Sequence, residues 1–204
     1  KQQLIFEQTI TDYCQTIATK ADTEKRFLVV LGSRPYHTDP LVQHKIADVI
    51  ADFGVDVITE DIARMAAKKL PKVHMVMQWA YTNRILKAAS WVANKGEHVQ
   101  YMQLTSFGCG PDAFIIDEVN TLLQQVSKNP TILKIDDINN IGSTRLRIRS
   151  VIESLGLSSQ PVQSTSTENS SVPFFEKKDR KRKILLPWFA DFYSPFIPPI
   201  FHRL

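Results

Sequence analysis

The stretch that decides the fold runs Val99-Gln100-Tyr101-Met102-Gln103-Leu104, then Thr105-Ser106-Phe107-Gly108-Cys109-Gly110-Pro111-Asp112-Ala113, then Phe114-Ile115-Ile116-Asp117-Glu118-Val119-Asn120-Thr121-Leu122-Leu123. The first run reads as a strand and the last as a helix, so Cys109 falls in a strand-to-helix turn. Gly108 and Gly110 flank it, and without Cβ atoms they let the backbone bend sharply. Pro111 suits a first helical turn, where its missing N–H costs nothing. Asp112 suits the positive end of the helix dipole. A thiol beside a helix N-terminus has a lowered pKa. Read locally, Cys109 is either a small turn residue whose glycines serve only the fold or a reactive or ligating thiolate.

Outward from this unit the same alternation repeats. Phe27-Leu28-Val29-Val30-Leu31 is an apolar run ending at Gly32, as expected of a strand buried on both faces. Val55-Asp56-Val57-Ile58-Thr59 and Thr131-Ile132-Leu133-Lys134-Ile135 are two more strands. Helical spacing links Ile46, Val49, Ile50 and Phe53, with Gly54 as the stop. It also links Tyr81, Ile85, Ala88, Ala89 and Val92, and later Ile148, Val151, Ile152 and Leu155 ahead of Gly156. A short helix is expected from Ile62 to Lys69, ended by Pro71. Residues 4–21 form a helix with a partial stripe of Ile5, Ile10, Tyr13 and Ile17, with Cys14 beside it as a packing residue.

Strands alternating with helices argue for an α/β domain: a flavodoxin-like or Rossmann-like parallel sheet of about four strands with helices on both faces. The simplest strand order is 2-1-3-4. The domain is expected over residues 27–156, after an N-terminal helix and connector at 1–26. Residues 157–183, rich in Ser, Thr, Gln and Asn at their start, read as a flexible linker. Residues 184–204 turn strongly apolar and read as the truncated start of a further segment. The chain opens at Lys1 without a Met, so it is expected to be a piece of something longer.

Composition narrows the function classes. With 204 residues and 43% hydrophobic content, the chain can bury a real core. Its two cysteines, Cys14 and Cys109, make no disulfide framework and suit a cytoplasmic setting. No signal peptide or apolar run of transmembrane length is present, so no membrane partner is expected. The net charge of +4 equals that of Glu176 to Lys183 alone, where six cations meet two anions. The rest is neutral by formal count, so no nucleic-acid partner is expected either.

In an open α/β sheet, ligands bind beyond the carboxyl ends of the strands. Arg34, Tyr36 and His37 follow the first strand, Glu60 and Asp61 the second, Cys109 the third, and Asp136, Asp137, Asn139 and Asn140 the fourth. Arg145 lies near the start of the final helix, where it suits a phosphate or carboxylate, or else a surface ion pair. The convergence is either a site or the ordinary polar edge of such a domain. There is no GxxxxGK[ST] loop and no GxGxxG fingerprint. No second cysteine lies near Cys109, so an iron–sulfur cluster on it needs ligands from elsewhere.

Several blocks resemble one family: residues 32–40 (GSRPYHTDP), 81–88 (YTNRILKA), 106–113 (SFGCGPDA), 133–140 (LKIDDINN) and 142–150 (GSTRLRIRS). They are similar to the activators of (R)-2-hydroxyglutaryl-CoA dehydratase, the CoA-substrate-specific enzyme activase-related proteins, in their segment similar to the dehydratase subunits. The resemblance covers roughly Phe27 to Leu155 and resumes at Ile184 to Leu204. It implies that Cys109 is a metal ligand, helping to hold an iron–sulfur cluster for ATP-dependent electron transfer. ATP would be bound by other domains, and the partners would be neighbouring activase and dehydratase-like domains, with acyl-CoA a further candidate. The cluster or substrate environment would be Arg34, Tyr36, His37, Asn83, Arg84, Gly108, Gly110, Asp112, Asp136, Asn139 and Arg145. The other cysteines and the sugar-kinase-like ATPase of such proteins are absent here, so no catalysis is expected of this stretch alone. The alternative is a non-redox binding or scaffold domain that recognises a CoA-type phosphate or docks neighbouring domains.

Overall fold

The computed structural model of the chain describes residues 2–64, 79–106, 110–135 and 141–157. All of them fall in the first of the two units into which the chain divides, Lys1–Ser164. The elements, in order, are α1 (Gln2–Glu24), β1 (Leu28–Gly32), α2 (Ile46–Ala51), β2 (Asp56–Thr59), α3 (Ala80–Ala93), β3 (Val99–Thr105), α4 (Gly110–Gln124), β4 (Thr131–Lys134) and α5 (Ile141–Leu157). Single turns of 3-10 helix occupy Pro35–Thr38 and Glu60–Ala63. The four strands form one parallel sheet in the order β2-β1-β3-β4. This is the α/β architecture and the strand order that the alternating pattern predicts.

Side chains alternate across a strand, and the two central strands are buried throughout. Leu28, Val30, Val99 and Tyr101 therefore enter one core, against α1, α3 and α4. Val29, Leu31, Met102 and Leu104 enter the other, against α2 and α5 through Ile46, Ile50 and Ile148. Gly54 ends the α2 segment at φ +76, a conformation that side chains rarely adopt. Among the described residues, no helix is long and apolar enough to cross a membrane.

Three local readings change. Half of the stripe expected on α1 holds: Ile10 and Ile17 pack against the core, but Ile5 and Tyr13 are exposed, and the fully buried residues are Thr11, Cys14, Ala18 and Ala21. Small side chains let the helix axis approach the sheet closely, so size rather than hydrophobicity chose the face. Tyr81 likewise stays about half exposed while Ile85, Ala88, Ala89 and Val92 go inside. After β2 the chain makes a 3-10 turn at Glu60–Ala63. Most of the helix expected at 62–69, the linker expected at 157–183 and the segment 184–204 lie outside the described residues.

The first helix is built into this unit. Thr11 Oγ1 donates to the Asp61 carbonyl at 3.2 Å. Arg64 Nη1 meets Glu7 at 2.6 Å, and Arg26 meets Asp56 at 2.6 Å.

Candidate functional site

The polar residues at the carboxyl edge form three linked groups. The first surrounds Ser106, which directly follows β3. His37 is 1% exposed, held in the turn after β1. Its Nδ1 accepts the Arg34 backbone N–H at 3.3 Å, which leaves the ring proton on Nε2. Nε2 then donates to Ser106 Oγ at 3.0 Å, and the Tyr36 hydroxyl lies 3.3 Å from the same oxygen. The Tyr36 and His37 rings meet edge-on at 4.2 Å. Burial pushes the His37 pKa down, against the Asp112 carboxylate, which raises it. A neutral histidine with its proton already on Nε2 cannot act as a base toward Ser106. The pair is therefore an ordering hydrogen bond and lacks the geometry of an activated serine.

The second group joins the loop after β1 to the start of α4. Arg34 Nη2 forms an ion pair with Asp112 Oδ1, and Thr105 Oγ1 donates to Asp112 Oδ2 at 3.2 Å. Asp112 is 4% exposed and sits in the first turn of α4, where the helix dipole also favours its charge. Arg34 and Asp112, read from the sequence as separate members of a ligand environment, are each other's partners.

The third group lies between β2 and α3. Arg84 Nη2 donates to Glu60 Oε1 at 2.9 Å and Asp61 Oδ1 at 2.6 Å. Arg64 Nε adds a bond to the same Asp61 oxygen at 2.7 Å. Ser33 Oγ donates to Glu60 Oε2 at 3.3 Å. Glu60 is 1% exposed, and burial, offset in part by Arg84, pushes its pKa up to about 7. The Tyr101 phenol, also pushed well above its ordinary value by burial and then by Glu60, has no hydrogen-bond partner among the described residues.

Asn83 sits on α3 beside Arg84, its Oδ1 buried without a partner among the described residues. Gly110 opens α4. Arg145 stands apart from the three groups: on α5, it pairs with Asp52 at 3.8 Å and covers the Phe53 ring at 5.7 Å. Cys109, Gly108, Asp136 and Asn139 lie outside the described residues. Ser33, Ser106 and Thr105 were not singled out as site residues in the sequence. A signal for part of this was present, because Tyr101, Gln103 and Thr105 fall at every second position of a fully buried strand. Polar groups at that spacing share one face and must find partners there.

Residues 1–63 match the family model described as CoA enzyme activase uncharacterised domain (DUF2229). The match runs from α1 to the turn after β2, and so takes in the loop of Arg34, Tyr36 and His37. The chain thus carries a CoA enzyme activase-related domain. No curated protein and no solved structure matches it.

Proposed function

We propose that this CoA enzyme activase-related domain serves a cytoplasmic, ATP-dependent electron-transfer system, and that it lends Cys109 as one thiolate ligand of an iron–sulfur cluster. Neighbouring activase and dehydratase-like domains would bind ATP and supply the remaining ligands. The observation that carries this reading is the position of the described flanks of Cys109. Ser106 continues the central strand β3 at its carboxyl end, and Gly110 opens α4 with Pro111 and Asp112 in the first turn. A helix N-terminus favours a thiolate.

The chain's own donor set fits a single ligand. Cys14, its other cysteine, is buried on α1 with Thr59 as its hydrogen-bonding neighbour, and burial pushes its thiol pKa up. It is a protonated packing residue. When bound, the cluster would supply one-electron transfer at low potential. The roles left to this chain are to hold a thiolate and to order the loops around it. The His37–Ser106 hydrogen bond and the Arg34–Asp112 pair do the ordering. A CoA-type phosphate held by Arg34 and Arg145 gains no support from the geometry, since these cations face Asp112 and Asp52.

The test is anaerobic reconstitution of a longer chain that joins this domain to its neighbours, read by visible absorption and electron paramagnetic resonance. Cys109→Ala should weaken or abolish the cluster signal, and Cys14→Ala should leave it. An unchanged signal in Cys109→Ala removes Cys109 from the ligand set.

A further inference from the structure

Beside its buried row, α1 carries an apolar stripe that leaves two large rings in solvent. Phe6, Ile10, Tyr13 and Ile17 follow at spacings of four, three and four, which sets them on one face of a helix. Phe6 and Tyr13 project from it, 61% and 69% exposed. Ile10 and Ile17 are partly buried and pack against the core. The stripe therefore alternates a projecting ring with a recessed isoleucine over about 17 Å of helix. A contiguous apolar strip with a polar rim marks an interaction surface.

The rim narrows the partner. Between Gln2 and Thr19 only Glu7 and Asp12 carry charge. Arg64 holds Glu7 at 2.6 Å, and Asp12 accepts from Gln8 at 2.7 Å. The hydroxyls of Thr9 and Thr16, next to the stripe, donate to carbonyls of their own helix at 2.8 and 2.9 Å. A helix that lies on a membrane flanks its apolar face with Lys or Arg, and none occurs between Gln2 and Thr19. A partner recognised by charge finds little to pair with on such a rim. A surface of the same uncharged kind meets no repulsion there.

We propose that the chain pairs with a second copy of itself through α1, as an antiparallel helix pair about a two-fold axis. With the axis at the level of Thr11 and Asp12, Phe6 meets Ile17 of the second copy and Tyr13 meets its Ile10. Each projecting ring then enters a recess. A parallel pair would set Phe6 on Phe6 and Tyr13 on Tyr13, projection against projection. The two rings expose about 250 Å² per copy. The contact is at the small end of protein interfaces, so the dimer is weak, with a Kd of about 100 µM. The surface includes neither Cys109 nor its flanks, so it stands or falls apart from the function proposed above.

The test is sedimentation velocity of the 204-residue chain from about 5 to about 500 µM. The sedimentation coefficient should rise from monomer towards dimer across that range. Phe6→Asp and Tyr13→Asp, which put a charge into the contact, should each weaken association at least about tenfold. Ile5→Asp puts the same charge on another side of α1, where Ile5 is 59% exposed, and should leave association unchanged. Disulfide cross-linking in a Cys109→Ala chain reads the orientation. Phe6→Cys mixed with Ile17→Cys should give a covalent dimer. Phe6→Cys alone should not, because its two copies would lie about 17 Å apart. If an aspartate variant does not fold, the concentration series on the unaltered chain and the cross-linking still decide. A chain that stays monomeric at the highest concentration overturns the proposal, whatever else covers the stripe. Association that survives Phe6→Asp, that Ile5→Asp weakens equally, or that cross-links Phe6→Cys to itself would overturn it too.

Discussion

The phenol of Tyr101 lies over Gly32: a methyl group at that position would sit 1.8 Å from the phenol oxygen and 2.4 Å from Cζ. Gly32 pairs with Gln103 in the parallel ladder and takes no left-handed conformation. The glycine is therefore required for space. It allows a ring that is 2% exposed to lie across β1 toward Glu60.

Gly32→Ala should cost about 1–3 kcal/mol, since the phenol must shift within a packed core. Tyr101→Phe should be neutral or slightly stabilising alone, because it removes a buried hydroxyl that has no described partner. Combined, the two should recover part of the alanine cost, as the 1.8 Å contact disappears and the 2.4 Å contact remains. Denaturant midpoints of the four chains check this. Strict additivity would show that the two residues do not meet.

Glu60 gives stability a falling slope with pH. Its folded pKa is about 7 against an ordinary 4.5. Between these values the unfolded chain releases the proton and the folded chain retains it. The contribution is therefore complete below 4.5 and is lost as pH rises through 7, by at most about 3 kcal/mol. Glu60→Gln should flatten this slope in unfolding curves measured across that window. A slope unchanged in the variant would assign it to another group.

His37 acts in the opposite direction. Its folded pKa lies below the ordinary 6.5 because its ring is buried. Its stabilisation is present above 6.5 and is lost as pH falls through the lowered value, when the unfolded chain takes up a proton that the folded chain refuses. His37→Asn should reduce the loss of stability on acidification. Carbon shifts of the His37 ring should show the Nε2–H tautomer at neutral pH, and an Nδ1–H tautomer would contradict the Ser106 bond described above.

Lys128 closes the end of α3. Its Nζ donates to the carbonyls of Val92, Lys95, Gly96 and Val99 at 3.0, 2.9, 2.8 and 3.0 Å. Val92 lies in the last turn of α3, and the other three carbonyls belong to the connection into β3 and its first residue. Lys128→Met keeps the length of the side chain and removes the donors, and should cost about 2–4 kcal/mol. Hydrogen exchange should quicken first at Val92 to Val99, and a uniform change across the sheet would mean that the lysine has no local role.

The sequence by itself determined the sheet. Continuous apolar runs at 28–31 and 99–104 demand burial on both faces, and the helices between them demand parallel strands. The order β2-β1-β3-β4 is the simplest that those constraints allow, and it is the one the chain adopts. The sequence also placed Arg34, His37 and Asp112 at the carboxyl edge, because strand ends fix which loops share it. Tertiary structure alone decided what those residues do there. Arg34 and Asp112 are 78 positions apart, and His37 and Ser106 are 69 apart. No local pattern specifies partners across such distances, since they meet only once β1 and β3 pair. Hydrophobic periodicity likewise could not choose the small-residue face of α1, because the gain there comes from close approach to the sheet. The pKa of Glu60 belongs to the same class: it is set by the protein packed around the carboxyl group, and a carboxyl group in sequence has no surroundings.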